Sequence, residues 1–136
     1  TVTINNDADN RVVTAGGNSS INGEANLTFD GLKLLINGGL ILKRRAITTH
    51  TTASTSDYYL SVSATASLDI RLPNASSLVA GQTFIIKDEA GNAGTHTINI
   101  KTTGGQTIDG DTFALLESDF AAVNLYTNGS NKYFIY

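Results

Sequence analysis

Cysteine, methionine and tryptophan are absent from this 136-residue chain, and proline occurs once. Without cysteine there is no disulfide framework, no thiolate metal site and no cysteine nucleophile. Two histidines cannot build a three-histidine zinc site within one chain. Charge is scarce too. Only 15% of residues are Asp, Glu, Lys or Arg, below the ~25% usual for globular domains. The formal net charge of −3 argues against nucleic-acid binding, which calls for a basic face. The longest apolar stretch, 32–42, is broken by Lys33, Asn37, Gly38 and Gly39. It falls far short of the ~20 residues a membrane helix needs.

What is abundant is Thr, Ser, Asn and Gly, 55 residues together, as large a share as the 40% hydrophobic set. These residues are poor helix formers, which excludes a long helical bundle. The hydrophobic share is enough for a core, which excludes a disordered chain. The expectation is an all-β, turn-rich protein. With Thr1-Val2-Thr3-Ile4 already strand-like and no initiator methionine, the chain reads as a piece of a longer protein rather than a processed one.

Turn signals recur about every ten residues, with strand-like runs between them. In 1–39 these runs are very short. Asn22-Gly23 is the strongest hairpin signal, because both positions tolerate positive φ. Residues 40–56 read as a strand-like connector, with a Ser/Thr tract and the capacity to pair with another chain. Residues 57–136 show clear period-2 alternation. Leu68, Ile70 and Leu72 face one way, as do Phe84 and Ile86, Ile98 and Ile100, and Val123 and Leu125. A last hairpin runs from 125–127 to 133–136 around Asn128-Gly129-Ser130-Asn131. The expected fold is a small β-sandwich or jelly-roll-like domain of seven or eight strands, preceded by an extended short-strand stalk. Gly16-Gly17 to Glu24 and Gly104-Gly105 to Asp111 echo one another, which reads as one turn chemistry used twice.

The stretch Asp9-Asn10-Arg11-Val12-Val13-Thr14 with Ile21-Asn22-Gly23-Glu24-Ala25-Asn26-Leu27-Thr28-Phe29-Asp30-Gly31 resembles segments of tailed-bacteriophage tail-fibre and other virion structural proteins, notably of marine phages. So do Gly81-Gln82-Thr83-Phe84-Ile85-Ile86-Lys87-Asp88-Glu89-Ala90-Gly91-Asn92-Ala93, Ile98-Asn99-Ile100-Lys101, Thr107-Ile108-Asp109-Gly110 and Leu125-Tyr126-Thr127-Asn128-Gly129-Ser130-Asn131-Lys132-Tyr133. The resemblance implies a homotrimeric C-terminal part of a fibre or spike, in the virion, whose tip contacts the host. It brings no active-site residues with it. Physics points the same way. A segment of ~40 residues without disulfide or metal rarely folds alone, and short strands leave edges that must be covered. Winding three copies together answers both.

No enzyme signature stands out. Asp109-Gly110-Asp111 and Glu117-Ser118-Asp119 are the densest acidic groups, but Asp-Gly is a turn dipeptide first. A glycosidase needs two carboxyls about 5–9 Å apart across a sugar. No loop has the calcium spacing, and no Gly-x-Ser-x-Gly elbow exists. His50 and His96 each sit in Thr-His-Thr and read as exposed strand residues. The alternative is one histidine per chain meeting at a trimer axis. The Gly-Gly pairs lack a phosphate-loop lysine. Lys43-Arg44-Arg45 is the one basic cluster, and its members alternate faces in a strand. Solvation or pairing across subunits is expected for it rather than anionic-glycan binding.

All five tyrosines and four of five phenylalanines lie after residue 57. Tyrosine joins an apolar face to a polar tip, which suits a sugar or a protein surface. If Val123, Leu125, Tyr133 and Ile135 face inward, Tyr126, Phe134 and Tyr136 face out. Packing against a neighbouring subunit or touching a receptor would then be their role. Polar loops at 88–95, 102–107 and 128–132 are natural carriers of recognition. Tyr126, Asn128, Ser130, Asn131 and Tyr133 are the expected receptor-contact residues. No cofactor, metal, nucleic acid or membrane insertion is expected. The partners are two further copies, other virion proteins and a host-surface glycan or protein. A capsid decoration role without receptor binding and a glycan depolymerase are the alternatives.

Overall fold

A computed structural model gives the structure of residues 3–5, 8–17 and 20–136. The chain divides into two compact units, Thr1–Ile41 and Leu42–Tyr136. Nearly all regular structure is β, as the composition leads one to expect.

The first unit holds β1 (Thr3–Asn5), β2 (Arg11–Gly17), β3 (Ser20–Phe29) and β4 (Leu34–Ile36). β3 is central. β2 runs antiparallel along one side of it, while β1 (parallel) and β4 (antiparallel) pair with its two ends. Asn22-Gly23 does not turn here. It lies inside β3, opposite Thr14 and Val13, and Gly23 is buried. The reversal falls after Gly17, whose φ of 73° is the left-handed conformation glycine accepts freely. Glu24-Ala25-Asn26 supplies no apolar alternation beyond Asn22-Gly23, so the dipeptide has no second hairpin arm to close. β2 and β3 are therefore longer than the very short strands expected for 1–39. In the glycine echo, the Asn22-Gly23 part is strand, whereas its counterpart Asp109-Gly110 turns, with φ of 49° and 105°.

Among its described residues this unit has ladders but no core: only Gly23 is buried. Leu32 is 90% exposed and Ile41 98%, and Phe29, Leu34, Leu35 and Leu40 are also exposed.

The second unit contributes β5 (Arg44–Ile47), β6 (Thr51–Thr52), β7 (Tyr59–Val62), β8 (Leu68–Arg71), β9 (Thr83–Asp88) and β10 (Ile98–Lys101). After these come β11 (Thr107–Ile108), β12 (Phe113–Leu116), β13 (Ala122–Thr127) and β14 (Lys132–Ile135). One sheet has the order β12-β10-β8-β6, the other β11-β14-β13-β9-β7-β5. β5, β7 and β9 are mutually parallel neighbours in the larger sheet. β6, β8 and β10 are the same in the smaller one. The chain therefore winds between the two sheets, one strand to each per turn. β12 and β13 then return antiparallel on β10 and β9.

Period-2 alternation sets the faces. Leu60, Val62, Phe84, Ile86, Leu125 and Tyr133 of the larger sheet join Leu68, Ile70, Ile98, Ile100 and Leu116 of the smaller in one buried cluster. Each such side chain contributes roughly 1.5–3 kcal/mol of burial.

Residues 40–56 are not a separate connector, since 44–47 and 51–52 are strands of the second unit. The basic cluster forms ion pairs within its own chain, with the Lys43 and Arg44 side chains about half exposed. Lys43 and Arg45 reach the buried Asp57 carboxylate at 3.3 and 3.0 Å, and Arg44 pairs with Glu89. Parallel pairing of β5 beside β7 causes this, because it brings 43–45 alongside the segment that carries Asp57.

Candidate interaction surfaces

The hairpin of β13 and β14 pairs Tyr126 with Phe134 and Thr127 with Tyr133. Tyr133 is fully buried. Its ring meets Phe84 edge-on at 6.3 Å, and its hydroxyl donates to the Pro73 carbonyl at 2.7 Å. Burial pushes its phenol up to about 12. Tyr133 is therefore a core residue and not a contact residue. Alternation already put it on the inward side, beside Leu125. Ile135, also expected inward, is 45% exposed because it lies where the strand ends.

Asn128, Ser130 and Asn131 are exposed, in a loop that holds its own shape. Asn128 Oδ1 accepts the backbone N–H groups of Ser130, Asn131 and Lys132, each at 3.0 Å. Thr127 Oγ1 accepts from Gly129 N at 3.0 Å and donates to the Lys132 carbonyl at 3.1 Å. The side-chain oxygen of Asn128 thus organises the turn, and its Nδ2 donates to Asn131 Oδ1 at 3.2 Å.

Tyr126 faces out. It stacks on Phe134 at 5.2 Å and meets Tyr136 edge-on at 5.8 Å. The outward row continues through Asn124, Ile85 and Tyr59, which are register partners on β13, β9 and β7. The larger sheet thus carries an aromatic outer face.

The smaller sheet has a different outer face, which residue type alone does not reveal. Thr52, Arg71, Lys101 and Phe113 are register partners across β6, β8, β10 and β12, and Asp69, Asn99 and Leu115 form the next row. Lys101 Nζ binds Asp69 Oδ2 at 2.6 Å, which holds the Asp69 carboxyl below the usual carboxylate range. Arg71 Nη1 donates to the Thr102 carbonyl at 2.9 Å. His50 Nδ1 accepts from Asp69 N at 2.9 Å, so its proton sits on Nε2 in the neutral ring. Two shallow depressions meet at Arg71. One, about 320 Å³, lies toward His50, Thr51 and Asp69, and the other, about 390 Å³, lies toward Lys101, Gly104, Gly105 and Phe113. The alternation Leu68-Asp69-Ile70-Arg71-Leu72 and Ile98-Asn99-Ile100-Lys101 was the available signal, because it puts the charges on one side of adjacent strands.

Neither histidine lies in a strand. His50 precedes β6, and His96 sits in the turn before β10, its N–H on the Asn92 carbonyl at 2.7 Å. Asp109 and Asp119, one from each of the two acidic groups, have structural duties. The Asp109 carboxylate accepts from Ile135 N at 3.3 Å, and Asp119 accepts from Gly94 N at 2.9 Å. The Asp88 carboxylate gathers N–H groups from Ala90, Gly91, Asn92, Ala93 and Phe120. Burial pushes its pKa up, but the donors of Ala93, Phe120, Asn92 and Gly91 together hold it below the ordinary value. Among the described residues no group of three or more His, Asp or Glu could hold a metal ion. No family model matches the chain, and no curated protein matches it.

Proposed function

We propose that this chain is a non-enzymatic piece of a bacteriophage fibre or spike. In this reading it is a parallel homotrimer joined through the first unit. The second unit, a β-sandwich-like scaffold with jelly-roll character, adheres to a host-surface glycan. Other virion proteins attach upstream.

One observation supports the reading: the first unit has hydrogen-bonded strands and, among its described residues, no apolar interior of its own. Ladders alone do not hold so small a unit, and its exposed leucines and isoleucines need cover. Three copies wound together supply it. The outward tyrosines and the polar face of the second unit support adhesion.

Light scattering of the full chain tests assembly. A three-chain mass is expected. Leu34→Asp removes roughly 1.5–3 kcal/mol of burial per chain and is expected to dissociate the assembly. A folded monomer at micromolar concentration overturns the reading. Retention on a bacterial surface polysaccharide is expected without release of new reducing ends, and such release overturns the non-enzymatic assignment.

A further inference from the structure

We infer that the outer face of the smaller sheet binds a saccharide bearing a carboxylate, with Arg71 at the centre of the site. The inference rests on the adhesion reading for its ligand class and adds the site and the charge. Strands about 4.8 Å apart put Thr52, Arg71, Lys101 and Phe113 in a row roughly 14 Å long, enough for two or three sugar rings. The two depressions along this row, at about 320 and 390 Å³, each sit at the low end of the ~300–1,000 Å³ range of small-ligand sites.

The chemistry divides along the row. Lys101 is neutralised by Asp69. Arg71 has no carboxylate partner among the described residues. The Thr102 carbonyl holds one arm of its guanidinium, which leaves the other N–H groups of the planar fork for a ligand. That fork matches a carboxylate in two parallel hydrogen bonds. A single unpaired cation suits one carboxylate better than a phosphate cluster. Phe113 is 51% exposed and offers a flat apolar ring beside Lys101. An aromatic ring next to polar groups is the combination that takes a sugar's apolar face and its hydroxyls together. Gly104 and Gly105, both left-handed at φ 63° and 76°, line the depression without side chains, so a ring can approach the backbone. On the other side, His50 Nε2 and the outward Thr52 hydroxyl provide hydrogen-bonding groups.

The test measures binding of the full chain to tetragalacturonate, to its methyl ester and to inorganic phosphate by calorimetry. The acid is expected to bind, with the ester weaker by about tenfold or more, the order expected for loss of a charge-assisted pair. Arg71→Gln is expected to weaken acid binding by about tenfold and Phe113→Ala by several-fold. Tyr126→Ala, on the opposite sheet, is expected to leave it unchanged. Circular dichroism confirms that each variant is folded. If acid and ester bind equally, or Arg71→Gln binds as the parent does, the site is wrong while glycan adhesion stands. Loss of binding in Tyr126→Ala alone moves adhesion to the aromatic face and overturns the site. Competition by phosphate as strong as by the acid reduces it to a general anion site and overturns the saccharide assignment. Binding of none of the probes by a folded trimer overturns the site and removes the support for glycan adhesion.

Discussion

Tyr133→Phe removes one oxygen atom and tests how the two sheets are joined. The Tyr133 hydroxyl, on β14 of the larger sheet, donates at 2.7 Å to the carbonyl of Pro73, just past β8 of the smaller sheet. Both residues are buried. Deleting the hydroxyl leaves the Pro73 carbonyl without that donor. The cost is a net hydrogen bond of about 1 kcal/mol plus part of the ~1–3 kcal/mol desolvation of an orphaned acceptor, so about 2 kcal/mol in all. For a unit of this size that is a fall in Tm of roughly 10 °C. The ring remains, so the edge contact with Phe84 is kept. Tyr133→Ala loses the ring as well and is expected to cost about 3–5 kcal/mol. Tyr126→Phe, an exposed control, should stay within about 0.5 kcal/mol. The phenol adds a pH signature. Its folded pKa, about 12, lies above the unfolded value near 10. The proton on Tyr133 therefore favours the folded state fully below pH ~10, and this contribution fades as pH rises from ~10 toward ~12. Thermal melts by circular dichroism at neutral pH, with a series into alkali, measure both effects. A Tyr133→Phe protein as stable as the parent, or one with the same alkaline loss, refutes the claim that this hydroxyl bolts the sheets.

Asp88→Asn keeps the shape but weakens the five N–H contacts, and a loss of about 3 kcal/mol is expected in urea titrations. Because the folded Asp88 pKa is depressed, its contribution is present above ~3.9 and is lost as pH falls through the lower folded value. The Asp88→Asn protein should lack that part of the acid transition. Gly129→Ala forces a Cβ within 2.7 Å of the Ala80 nitrogen at φ 70°. It is expected to destabilise by roughly 2–3 kcal/mol, and an unchanged Tm would show that the turn relaxes freely.

Sequence alone determined the all-β character and the inward sets at 68–72, 84–86, 98–100 and 123–125. These follow from side-chain period within a single strand, a local property of the backbone. The same period marks Tyr126 as outward and Tyr133 as inward, a sign outweighed in the residue reading by tyrosine's suitability for contact. Tertiary structure alone decided which strands pair. β5 lies beside β7 and β7 beside β9 at separations of 15 and 26 residues, as Arg44, Tyr59 and Ile85 show, and nothing local encodes those registers. Pairing in the larger sheet brings Lys43 and Arg45 to Asp57 and gives part of the strand-like segment 40–56 its partner, and pairing in the smaller sheet lines up Thr52, Arg71, Lys101 and Phe113 into one row. In the first unit, pairing of β3 with β1 and β2 keeps Asn22-Gly23 extended, because a long β3 can pair on both sides only if the chain does not turn there. A hairpin dipeptide or a basic triplet states what a few residues can do. The choice among those options falls to the arrangement that closes the most ladders and buries the most apolar surface across the whole unit.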